Sequence, residues 1–128
     1  MQQGTEEPQM PFTVLVVDDE PAVRELVKEI LESGGYEVLT ACNGREAMKS
    51  LRRNVVDPVI TDLVMPEQEG IETIRAIRKG QPGLKILAMS GSAAPHLSTA
   101  RKLGAQDSIQ KPFTVESLLE KVGHLLAA

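Results

Sequence analysis

The 128-residue sequence has no tryptophan, one tyrosine (Tyr36) and two phenylalanines (Phe12, Phe113). Large aromatic rings therefore cannot dominate a core, which must be assembled from Val, Ile, Leu, Ala and Met. The single cysteine, Cys42, excludes an internal disulfide and suits a reducing compartment. Alone, it reads as a small buried apolar side chain. No Lys/Arg block exceeds two residues and the net charge is −4, which argues against direct nucleic-acid binding. No apolar run is long enough to cross a bilayer, so membrane insertion is not expected. Residues 1–11, MQQGTEEPQMP, lack the basic start and apolar stretch of a secretory signal. They read as a flexible polar tail before one domain over 12–128, and a cytoplasmic protein is expected. Familiar nucleotide loops are missing too. There is no GxxxxGK[ST], and VVDDEP stands where GxGxxG would follow a first strand.

What is present is a rhythm. With 41% apolar and 25% charged residues the chain suits a globular domain, one that buries roughly two thirds of its unfolded surface. Short apolar runs alternate with stretches of helical period. The pattern predicts strands β1 (13–17), β2 (36–41), β3 (59–61), β4 (84–89) and β5 (107–110). Between and after them it predicts helices α1 (22–31), α2 (45–53), α3 (71–79), α4 (94–103) and α5 (114–126). Val23, Leu26, Val27, Ile30 and Leu31 form the apolar line of α1; Leu97, Ala100 and Leu103 give α4 only a thin one. Val115, Leu118, Leu119, Val122, Leu125 and Leu126 line α5, with Thr114 as its N-cap. Such a βα alternation implies a parallel sheet covered by helices on both faces, with right-handed crossovers.

In a parallel open sheet the C-terminal ends of all strands share one edge, where ligands bind. Asp18 and Asp19 end β1, Asp62 ends β3, Ser90 ends β4 and Lys111 ends β5. Any one of them alone would be ordinary loop polarity; together they outline a site. Close carboxylates repel unless a cation relieves them, and an all-oxygen cluster suits a hard divalent ion, Mg²⁺ in a cell. Lys111 offers a positive charge opposite and Ser90 a hydroxyl. A phosphoryl group held between metal and ammonium fits this outline. Asp62, between the other acids and the lysine, is best placed to be the nucleophile.

The stretches LVVDDEPAVRELV (15–27), VITDLVMPEQEGIE (59–72), ILAMSG (86–91) and LGAQDSIQKPF (103–113) resemble, in order and spacing, a response-regulator receiver domain. Such domains are the partners of sensor histidine kinases in two-component signalling, and the likeness is of the chemotaxis-regulator kind. The resemblance covers residues 13–126. It implies an α/β, flavodoxin-like (βα)5 three-layer sandwich with a five-stranded parallel sheet in the order 2-1-3-4-5. It implies Asp62 as phosphoacceptor, taking a phosphoryl group from a phosphohistidine of a histidine kinase or phosphotransfer protein. Asp19 then resembles a direct Mg²⁺ ligand beside Asp62, Asp18 one that acts largely through water, and the Val64 carbonyl the third protein ligand. Ser90 resembles the switch hydroxyl. Lys111 resembles its paired lysine, with a cis Lys111–Pro112 bond. Gly91 keeps the donor's approach open, while Met65–Pro66 and Gly70 shape the loop after β3. A downstream target is expected on the face of α4, β5 and α5. The domain would catalyse its own phosphorylation and dephosphorylation, as a signalling module rather than a metabolic enzyme.

One position departs from the family. Where an aromatic ring usually reports the switch, this sequence has Ser108. The chemistry should survive, but the route to the output face is altered. Val64 and Ser92 occupy the family's variable positions that tune phosphoryl lifetime, and apolar Val64 suggests slow self-hydrolysis. His96 and His124 read as surface histidines, Met65 and Met89 as loop and core residues, and Glu20 as a solvent-facing neighbour of the acids. The main alternative is a receiver-like binding module that works without phosphate. A phosphohydrolase of free substrates lacks a second catalytic pair.

Overall fold

The computed structural model describes residues 12–63, 69–91, 101–102 and 104–127. Its strands are β1 Thr13–Val17, β2 Glu37–Ala41, β3 Val59–Asp62, β4 Ile86–Ser90 and β5 Asp107–Gln110. They form one five-stranded sheet in the order β2-β1-β3-β4-β5, and every pairing is parallel. The described helices are α1 Pro21–Ser33, α2 Gly44–Arg53, α3 Glu69–Gly80 and α5 Val115–Ala127. Of α4 only Arg101 and Lys102 are described, both helical; the remainder of 94–103, His96 and the tail 1–11 lie outside the described residues.

Alternation along the strands divides the core between two faces. Leu15, Val17, Val59, Ile86 and Ala88 pack with Ala47 and Leu51 of α2 and Ile74 and Ile77 of α3. Val14, Val16, Ile60, Leu87, Met89 and Ile109 pack with Val27, Ile30 and Leu31 of α1 and Leu118, Val122 and Leu125 of α5. β3 and β4 are buried throughout, which is why they read as continuous apolar runs. Helix ends follow local chemistry. Pro21 opens α1, where no N–H partner is needed. Asn43 caps α2 by accepting the Glu46 N–H at 2.8 Å. Thr114 and Ser117 cap α5 reciprocally, each hydroxyl accepting the other's backbone N–H at 3.0 Å.

Some expectations need correction. Leu26 is 52% exposed and Val115 45%; Leu26 lies about 100° around the helix from Val27, and both cannot face the sheet. β4 starts at Ile86 rather than 84. The carbonyls of Pro82 and Leu84 bind the Arg78 guanidinium at 2.6 and 2.7 Å, which holds 81–85 as a turn. Cys42 is half-buried in the β2–α2 loop rather than in the core.

Arg78 closes the N-terminal end of the sheet. Its second terminal nitrogen donates to the Gly104 carbonyl at 2.7 Å and to Gln106 Oε1 at 3.2 Å, and the same Oε1 accepts the Ile86 N–H. Gly104, at φ +122°, fits against this side chain; a Cβ there would lie 2.8 Å from Arg78 Nε. The opposite end carries the acids.

Candidate functional site

β1 and β3 are neighbours in the sheet, with Val17 opposite Thr61. The residues that follow these two positions, Asp18 and Asp62, therefore emerge side by side. Carboxylate oxygens of Asp18, Asp19 and Asp62 all lie within 4.8 Å of one another. Asp18 is fully buried and Asp62 nearly so, while Asp19 is exposed. The site is thus built of two acids at the bottom and one at the mouth.

Lys111 arrives from the end of β5. Its N–H donates to the Ser90 carbonyl at 2.8 Å, and Nζ stands 3.2 Å from Asp62 Oδ2 and 3.3 Å from Asp18 Oδ2. Burial works against the ammonium, but the charges of Asp62 and Asp18 outweigh it and hold Lys111 above the ordinary lysine value. The Lys111–Pro112 bond is cis, as the resemblance implied; Asp57–Pro58 is also cis. Ser90 is fully buried at the end of β4. Among the described residues, a Cβ at Gly91 would meet only Lys111 Cβ, at 4.0 Å.

Gly70 settles how α3 meets the site. A Cβ there would collide with the Asp62 carbonyl and come within 2.6 Å of the Leu63 carbonyl. The first turn of α3 therefore lies directly on the backbone that carries Asp62, an approach only glycine permits.

Asp18 is held from several sides. Its N–H donates to the Ala41 carbonyl at 3.1 Å, and Oδ1 accepts the Glu20 N–H at 2.9 Å. Its own carbonyl accepts Arg24 Nη1 at 2.8 Å. Nothing in the spacing of the sequence singles out Arg24; an arginine on the first turns of a helix reads as solvent-facing. Beside it, Glu46 accepts the Cys42 N–H at 2.9 Å. The Glu46 side chain, together with burial, pushes the Cys42 thiol up.

Of the other sequence-derived candidates, Val64, Met65, Pro66 and Ser92 lie outside the described residues. Glu20 and His124 are exposed, as expected. Ser108 is buried in β5 opposite Ala88, away from the acids. The donor set fits Mg²⁺. It is all oxygen, and Lys111 pairs with only two of its three acids, Asp18 and Asp62; these two are too buried for water to offset their repulsion.

Comparison with known proteins agrees with this geometry. The model of the response regulator receiver domain matches residues 14–123. The chain is 39% identical over 109 residues to the chemotaxis protein CheY of Thermotoga maritima, covering 84% of this chain and 91% of that protein. It is 36% identical over 118 residues to the response regulator MprA of Mycolicibacterium vanbaalenii, covering 91% of this chain and 51% of that protein. The chain thus spans about half the length of several curated relatives it matches. The solved structure of the Vibrio cholerae chemotaxis protein CheY4 superposes with a TM-score of 0.85 at 32% identity, covering 91% of this chain and 99% of that one. Matched over residues 14–123 and similar to CheY proteins over most of its length, the chain belongs to the response-regulator receiver family, the phosphorylation-controlled switches of two-component signalling.

Proposed function

We propose that Asp62 is the phosphoacceptor, and that this chain takes a phosphoryl group from the phosphohistidine of a sensor kinase or phosphotransfer protein. The P–N bond of the donor breaks as a P–O bond to Asp62 forms. The observation that carries this reading is the meeting of three carboxylates from β1 and β3 with the Lys111 ammonium at the open end of the sheet. Asp18, Asp19, Asp62 and the Val64 carbonyl would hold Mg²⁺, which when bound neutralises charge on the phosphoryl oxygens. Lys111 approaches from the opposite side and stabilises the same oxygens. Ser90, at the base, offers its hydroxyl to the group once it is attached.

The downstream face is proposed to be α4, β5 and α5. Asp107 at the start of β5 is linked to Arg101 at 3.1 Å and to Lys121 of α5 at 3.2 Å, so a shift in one element is felt by the others. Ser108 cannot supply the ring that other family members move, and rearrangement of this face must rely on backbone and charge. The chain is proposed to work in the cytoplasm, without contacting nucleic acid itself. No described helix is long and apolar enough to cross a membrane.

Incubation with phosphoramidate, a small donor with a P–N bond, tests the reading by intact mass. The expected result is a gain of one phosphoryl group that requires Mg²⁺ and is absent in Asp62→Asn. Ser108 favours the second reading, a phosphate-independent binding module. No gain from folded, Mg²⁺-binding protein would support that reading instead.

A further inference from the structure

Asp19 stands at the mouth of the acid cluster, exposed, and no hydrogen bond orients its carboxylate among the described residues. Where that carboxylate can reach is therefore set by the backbone that carries it. The peptide joining Asp18 to Asp19 is planar, so fixing the Asp18 carbonyl also fixes the N–H and Cα of Asp19. That carbonyl is held by Arg24 Nη1 at 2.8 Å, across six residues and from the first turn of α1. Arg24 is itself anchored, because its N–H donates to the Glu20 carbonyl at 3.0 Å. On the far side of the same peptide segment, the Asp18 N–H is tied to Ala41 and Oδ1 to the Glu20 N–H. Helix α1 and strand β2 thus hold the Asp18–Asp19 turn from both flanks.

We infer that Arg24 is a positioning residue for the metal site, aiming the Asp19 carboxylate by clamping the Asp18 carbonyl. The inference rests on the Mg²⁺ reading above and deepens it. Two physical roles for Arg24 predict opposite signs. As a mere cation near three carboxylates it would compete with Mg²⁺, and its removal would tighten metal binding. As a clamp it pre-organises a ligand, and its removal loosens metal binding even though a positive charge has gone. The arrangement of donor and carbonyl assigns it to the second. Lysine cannot fully replace it, since a compact ammonium on a shorter stem lacks the guanidinium's reach and rigid fork.

The test is Mg²⁺ titration of wild type, Arg24→Ala and Arg24→Lys by calorimetry. The Asp19 amide is followed in ¹H–¹⁵N spectra, and metal-free melting temperatures control for folding. Expected is an affinity about tenfold weaker in Arg24→Ala and an intermediate loss in Arg24→Lys. The Asp19 amide should already be displaced in the metal-free Arg24→Ala spectrum. Equal or tighter Mg²⁺ binding by Arg24→Ala, with wild type binding normally, overturns the clamp and leaves the metal site standing. Wild type that binds no Mg²⁺ overturns both. Should Arg24→Ala not fold, Arg24→Lys decides: unchanged affinity there overturns the clamp.

Discussion

At the N-terminal end of the sheet the Arg78 guanidinium is enclosed by the carbonyls of Pro82, Leu84 and Gly104 at 2.6, 2.7 and 2.7 Å. At the C-terminal end the Lys111 ammonium stands 3.2 and 3.3 Å from two carboxylates. Both ends gather oxygens around a cation. The first does so with neutral acceptors already fixed by the backbone, in short bonds that join α3 to the starts of β4 and β5. The second brings together like charges that repel, with longer contacts and an exposed third acid. One end is arranged for folding. The other keeps an unfavourable cluster, which makes sense if a metal and a phosphoryl group complete it.

Substitutions at the two ends should therefore separate stability from chemistry. The largest effect is expected where they coincide, at Gly70. In Gly70→Ala the new methyl meets the backbone of Asp62 and Leu63, and neither can yield as a side chain would. Denaturant unfolding should show a loss of about 3 kcal/mol, with phosphorylation slowed roughly a hundredfold as Asp62 is displaced. Arg78→Ala comes next. It leaves several carbonyls without their charged donor, and a loss of about 2 kcal/mol is expected. Its phosphorylation rate, measured where the variant remains folded, should match wild type; a slowed rate would erase the distinction between the ends.

The smallest effect is a pH dependence. Lys111 is held above the usual lysine value of 10.5 in the folded chain. Its contribution to stability is therefore complete below that value and disappears as pH rises through the folded-state value. The site is partly open, and the contribution is about 1 kcal/mol or less. Chemical denaturation of wild type and Lys111→Met from pH 8 to about pH 11 should show the two curves converging at the alkaline end.

These contrasts also mark what the sequence could reveal. Apolar runs such as VVDD and VITD disclosed both the strands and the acids at their ends, because a buried strand and its C-terminal residue are encoded locally. Sheet order followed from family resemblance, whereas Asp62 and Lys111, 49 positions apart with no local sign of contact, were brought together by the shared C-terminal edge of a parallel sheet. Arg24 and Arg78 stayed hidden for a further reason. Each acts mainly on backbone carbonyls, which every residue possesses, and the one side-chain partner, Gln106, is uncharged and 28 residues from Arg78. Leu26 was misjudged because an apolar residue next to the buried stripe looks the same in a sequence as one within it.

The central claim is that the C-terminal acids oppose folding and are retained for metal and phosphoryl chemistry. Thermal melts of wild type and Asp62→Asn, with and without Mg²⁺, test it most directly. Without metal, Asp62→Asn should melt at or above wild type, because one repelling charge is gone while Lys111 keeps Asp18 as a partner. Mg²⁺ should then raise the wild-type melting temperature well beyond any rise in the variant. An Asp62→Asn protein that melts far below wild type without metal, and gains equally from Mg²⁺, would contradict the account.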